Sequence, residues 1–352
     1  AGAFPHVMNL RFDSALPLPA GWEVNRPNAR KLSDPAPAPI VKLHEPEVNL
    51  PALRRAIEDL TRTFGGSYVN GSRYLARVAE LESAAAAQKD IREEFIALQR
   101  EALLANPLLD FNDVLLVKRP ARSPSLGLPR NWESNCSLPG DGYDDELCLW
   151  SWKDASPEPR TVFKTEGKFL GDVDLHWDAD RLLFSMPGTN GRWQVFELGL
   201  GPSATPRQLT GEQPDVDSYD ACYLPNGRIA FTSTAMFVGV PCVNGSAHVA
   251  NLYVMDADGR NIRQLCFDQE HNWCPTMMND GRVLYARWEY ADTPHSNSRL
   301  LFTMNPDGTS QSAYLGSGSY WPNSFFYARP IPNHPTKVVA VIGGHHDHPR
   351  MG

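Results

Sequence analysis

Downstream of about residue 110, apolar residues come in short runs set between turns rich in Gly, Pro, Asn and Asp. Such runs predict short β-strands. The pattern repeats. WDADRLLFSM (177–186), YLPNGRIAFTS (223–233) and MMNDGRVLYAR (277–287) share one layout, a polar turn followed by an apolar strand. LYVMDADGRNIRQL (252–265) and LFTMNPDGTSQSAYL (301–315) share another: strand, DG-type turn, strand. The copies starting at 223 and 277 are 54 residues apart, and those starting at 252 and 301 are 49 apart. A repeat of roughly 40–55 residues with four strands in each is the signature of a β-propeller blade. Blades are expected near 110–166, 171–210, 215–267 and 271–315, with a fifth opening at GSYWPNSFFYARP.

Upstream the period changes. LPALRRAIEDLTRTF (50–64) has apolar residues at helical spacing, Asn49 placed to cap it and GGS to stop it. A longer helix is expected from about 72 to 105, ended by Pro107, so the two form a hairpin. Residues 1–47, rich in Pro, read as an extended arm. The chain therefore divides into an arm (1–47), a helical hairpin (48–106) and a mainly β propeller (107–352). An open ring leaves strand edges unpaired. The propeller is accordingly expected to be completed by further sequence or by another chain.

Composition narrows the function classes. The formal net charge of −8 over 352 residues argues against nucleic acid as a partner, since a phosphate backbone calls for a basic face. No apolar run is long enough for a transmembrane helix. The first residues, AGAFPHVMNL, lack an initiator Met, as after removal of a signal peptide, and the six Cys permit disulfides in an exported protein, Cys266–Cys274 among them. Periplasmic or similar export is the expected location. There is no GxSxG elbow, P-loop, dinucleotide fingerprint or CxxCH, so a c-type haem would have to be attached outside these residues.

Aligning the repeat turns places His176, Cys222 and Thr276 at one position, with Asp174, Asp220 and Cys274 two residues earlier. Alternation along a strand puts both rows on one face, and the first strand of a propeller blade lines the central channel. Asp174, His176, Asp220, Cys222 and Cys274 are thus candidate ligands for a transition metal such as zinc, copper or iron. The alternative is polar residues that bond only across blades. His271, beside this ring, and His345 and His346, in the dense GGHHDHPRMG run, are candidate proton-moving groups. Trp273 and Trp321 are candidate cofactor contacts. Arg287 and Glu289 are expected to form a cross-strand ion pair.

NPLLDFNDVLLVKR, GDVDLHWDADRLLFSMPGTNGRWQVFEL, DACYLPNGRIAFTST, EHNWCPTMMNDGRVLYARWEY and YWPNSFFYARPIPNHPTKVVAVIGGHHDHPRMG resemble a family of large exported bacterial proteins. That family is related to the middle domain of the hydrazine synthase alpha subunit, and its repeats are similar to TolB-type propellers. The resemblance covers about 72–352 and implies a TolB-like propeller in an exported redox or metalloprotein subunit. It further implies a metal or a flanking haem at the channel, a small-molecule substrate and other subunits as partners. Two alternatives stand beside it: a polysaccharide lyase or hydrolase, with Trp273, Trp288 and Trp321 stacking on sugar rings, and a non-catalytic interaction scaffold. The scaffold reading expects Asp174 and Cys222 to pair only with neighbouring backbone groups.

Overall fold

The computed structural model describes residues 47–124, 126–129, 137–151, 158–201, 203–241, 244–289, 299–315 and 324–342. Helix α1 (Leu50–Phe64) starts as its sequence predicts: the Asn49 side chain accepts a hydrogen bond from Ala52 N at 2.9 Å. The expected long second helix is two, α2 (Gly71–Ala86) and α3 (Arg92–Leu104). The chain breaks at Gln88, which takes the left-handed conformation with φ 57°, and restarts where Asp90 accepts from Arg92 N at 3.1 Å. The polar triplet Gln-Lys-Asp (88–90) after four alanines carries that stop signal. Leu53, Ile57, Tyr74, Val78, Phe95 and Leu98 form the core of this three-helix unit.

Five antiparallel sheets follow at the expected places. The first holds β1 (Asp113–Lys118), β2 (Glu146–Ser151) and β3 (Arg160–Lys164). The second holds β4 (Gly171–Leu175), β5 (Arg181–Pro187), β6 (Trp193–Gly199) and β7 (Arg207–Gln208). The third is β8 (Ser218–Tyr223), β9 (Arg228–Ser233), β10 (Asn251–Asp256) and β11 (Arg263–Gln264). The fourth is β12 (Asn272–Met277), β13 (Val283–Trp288), β14 (Arg299–Met304) and β15 (Ser312–Leu315). The last has β16 (Phe325–Pro330) and β17 (Val338–Ile342). Strands pair in sequence order, and the first strands meet from sheet to sheet: β4 packs on β8, β8 on β12, and β12 on β16. This is the arrangement of propeller blades around an axis.

Both faces of each middle sheet are buried, which explains why their strands read as nearly unbroken apolar runs. Leu182 and Phe184 of β5 pack with Leu147 of the sheet before, while Leu183 packs with Ile229 and Phe231 of the sheet after. At the outer edge the DG turns serve as clasps. A Cβ on Gly259 would lie 2.2 Å from Leu209 O, so only glycine, here at φ +86°, lets that turn rest on the preceding sheet. Arg207 and Arg263, equivalent residues of β7 and β11, donate to Ala257 O (2.9 Å) and Asp307 O (3.1 Å) of the following turns.

Candidate functional site at the channel ring

Each inner strand carries a β-bulge, between Gly171 and Asp174, Tyr219 and Cys222, Trp273 and Thr276, and Phe326 and Arg329. In each bulge one residue is left-handed: Asp172 (φ 50°), Asp220 (52°), Cys274 (54°) and Tyr327 (47°). These four are therefore structurally equivalent, and so are Asp174, Cys222, Thr276 and Arg329. The alignment expected from the turns is corrected on this point. His176 N bonds to Arg181 O, whereas Leu224 N bonds to Arg228 O and Met278 N to Arg282 O, so the turn after β4 is one residue longer than the others. His176 matches Leu224 and Met278, not Cys222. Asp174 matches Cys222, and Asp220 matches Asp172, which the sequence reading passed over together with Tyr327 and Arg329. The bulge also breaks simple alternation, so the two expected rows do not share one face.

The equivalent residues knit the inner strands together. Asp220 Oδ2 accepts from Cys274 N at 2.6 Å, and Asp220 N donates to Ser185 Oγ at 2.8 Å. Tyr327 donates its hydroxyl to Asp172 Oδ1 at 3.1 Å. Asp174 Oδ2 accepts from Tyr223 N at 3.0 Å. Burial pushes Asp220 up to about 8, helped by the adjacent Asp172 carboxylate and opposed by Arg329. Asp172 and Asp174 are raised by the same loss of water, partly offset for Asp172 by the Ser185 and Tyr327 hydroxyls and for Asp174 by its bond from Tyr223. Burial likewise lifts the Cys222 and Cys274 thiols well above their ordinary range. At neutral pH the ring thus holds thiols rather than thiolates, and a proton on Asp220. Cys148, Cys222, Cys266 and Cys274 are all free, so Cys266 and Cys274 are not joined.

His176 sits apart, at the turn. Arg181 Nη2 lies 2.6 Å from its Nε2, while its Nδ1 accepts from Asp178 N at 3.2 Å and lies 3.3 Å from Asp178 Oδ2. Among the described residues, the one set with three ligand atoms within 4.8 Å of each other is His176, Asp178 and Asp180, on the exposed turn beside Arg181. Beside it lies a cleft of about 500 Å³ lined by Trp177, Pro225, Met277, Met278, Asn279 and Gly281, contributed by the turns of three sheets.

At the opposite end of β12 the stretch Glu270-His271-Asn272-Trp273 is buried throughout. The His271 ring stacks on Trp273 (4.6 Å, 17°) and Trp288 (5.9 Å, 8°). Trp273 and Trp288 are fully buried, which leaves neither face free to stack on a sugar. His271 Nδ1 accepts from Ala250 N at 3.0 Å. Burial and the Arg299 charge hold its proton affinity well below the usual histidine range. Arg287 pairs with Asp268 (2.9 Å) and with Glu289 (3.5 Å) two residues along its own chain, rather than across strands. Trp321, His345 and His346 lie outside the described residues.

No helix among the described residues is long and apolar enough to cross a membrane. No protein-family model matches the chain, and no curated protein matches it. Hydrazine synthase of Kuenenia stuttgartiensis is similar with a TM-score of 0.50 and 15% identity, over 68% of this chain and 36% of that one. TolB of Acinetobacter baumannii gives 0.38 and 15%, over 58% and 48%. A puromycin hydrolase gives 0.41 and 15%, over 65% and 34%. The chain thus spans half or less of the length of these proteins, and what it has in common with the first of them is a mainly β, antiparallel fold of propeller type.

Proposed function

We propose that this chain is the propeller portion of an exported, multi-subunit protein of the hydrazine-synthase-alpha-like kind. In that assembly it acts as a rigid binding scaffold whose ligand end is the turn-side mouth of the channel. One observation carries the reading. The channel's polar side chains are spent on bonds between neighbouring inner strands, Asp174 to Tyr223 N and Asp220 to Cys274 N, while the open volume lies at the mouth. Its size falls in the range of small-molecule sites. Trp177, 59% exposed, offers a flat face, and Met277 and Met278 offer adaptable thioethers. Native mass spectrometry of the protein from its own host tests this. A bound component lost in Trp177→Ala is the expected result; a component retained in that variant, or none, overturns the mouth as the binding end.

A second reading places a transition metal at the ring, favoured by the closeness of Asp220 to Cys274 and by the charges of Asp174 and Asp220 felt at Cys222. As arranged, these donors do not fit one. No three of their ligand atoms converge within 4.8 Å, the Arg329 charge lies among them, and Asp220 would have to give up its bond from Cys274 N. Metal analysis distinguishes the two readings. Haem has no attachment sequence here, so its place would be beside the propeller rather than on it.

A further inference from the structure

The far end of β12 holds buried polar groups that the scaffold reading does not use. Glu270 is 2% exposed, His271 and Asn272 are 0%, and Ser324, at the start of β16, is 0%. Neither Glu270 oxygen, neither polar atom of the Asn272 side chain, nor His271 Nε2 or Ser324 Oγ has a hydrogen-bond partner among the described residues. An unmet buried polar group costs about 1–3 kcal/mol, so such a row on three consecutive residues calls for an occupant.

The chemistry of that occupant follows from the tautomer of His271. Its Nδ1 accepts from Ala250 N–H, so the neutral ring must carry its proton on Nε2. Nε2 is therefore a donor in need of an acceptor, and it is not available to a metal while that bond stands. A positive charge is held against the same frame. Arg299 Cζ lies 5.0 Å from the Trp273 ring and 5.3 Å from the Trp288 ring, the two indoles on which His271 stacks. Backbone pairing puts these groups in one line: Trp288 N donates to His271 O, Trp288 pairs with Arg299, and Arg299 bridges to Ser324. Imidazole N–H, hydroxyl and guanidinium along one row of the sheet suit an oxyanion.

We propose that His271, Ser324 and Arg299 form a binding site for a small carboxylate-type oxyanion at the end of β12 opposite the turns. Glu270 makes the site sensitive to pH. Burial raises its carboxyl to about 7 against the opposing pull of Arg299. The other charges on the elements nearby are Arg287 on β13, engaged by Asp268 and Glu289, and His271 stays neutral. An ionised Glu270 repels an anion, so affinity falls as pH rises through about 7.

Sodium formate is the probe, titrated against sodium chloride at matched ionic strength and followed by thermal unfolding and by the Nε2–H resonance of His271. The expected result is a saturable rise in unfolding temperature and a shift of that resonance with formate alone, stronger at pH 6 than at pH 8. His271→Phe keeps a ring between the indoles and removes the N–H, and it should weaken the response roughly tenfold or more. Glu270→Gln should bind formate equally at pH 6 and pH 8, and it decides the matter should the Phe variant not fold. A response to chloride equal to that of formate, an unchanged His271→Phe, or a pH dependence that survives in Glu270→Gln would each overturn the site.

Discussion

The two ends of β12 carry buried polar clusters of similar size, and they differ in how their polar atoms are met. Around Cys274 the ring residues bond to one another: Asp220 to Cys274 N, Tyr327 to Asp172, Asp174 to Tyr223 N. Around His271 the side chains of Glu270, Asn272 and Ser324 find no partner among the described residues. Burial alone therefore does not distinguish a structural polar group from a waiting one. What distinguishes them is whether the neighbouring strand supplies the complement. The bulges supply it at the ring, by turning a left-handed residue of each inner strand toward the next strand.

The comparison can be broken first at the aromatic frame. Trp273→Ala should cost about 3–5 kcal/mol in urea unfolding, since the ring is fully buried and supports His271; a cost under about 1 kcal/mol would mean that the frame is not structural. Next comes Asp220. Asp220→Ala removes the acceptor for Cys274 N and leaves alanine at φ 52°, at a cost of about 2–3 kcal/mol. Asp220→Asn keeps an acceptor and a residue at ease in the left-handed region, and should cost less than about 1 kcal/mol. Equal losses for the two would contradict the bonded ring.

Proton linkage sharpens the contrast. Folded Asp220 holds a proton up to about pH 8 that the unfolded chain releases near the usual carboxylate range. The stability tied to that proton is complete below about pH 4 and is lost as pH rises to about 8. Measured against Asp220→Asn, the wild type should therefore lose stability from pH 5 to pH 8, and parallel curves would refute the proton held on Asp220. The smallest effect is expected at the other end. Glu270→Gln should raise the urea midpoint at pH 8 and leave it unchanged at pH 4, because Glu270 is raised only to about 7.

Much of the architecture was legible in the chain. The repeat of turn and strand located all five sheets, and the Asn49 cap and the DG turns stand where their sequences put them. The candidate site was read less well, for two physical reasons. Ala179 takes a positive φ of 53° in a turn whose counterparts use Gly227 and Gly281, so the longer turn after β4 lacked the glycine that would have revealed its length. The bulges leave no mark of composition, being formed at Asp, Asp, Cys and Tyr, so strict alternation misassigned the faces around them. Asp172, Tyr327 and Arg329 become visible only once these two shifts are counted.

We propose the ring as a bonded scaffold and not a metal centre. This is tested most directly by the metal content of the purified native protein, measured by inductively coupled plasma mass spectrometry beside Cys222→Ser. The account predicts less than stoichiometric zinc, copper and iron in the wild type, unchanged in the variant. One equivalent of any of these, lost in Cys222→Ser, would contradict it and make the ring a metal site.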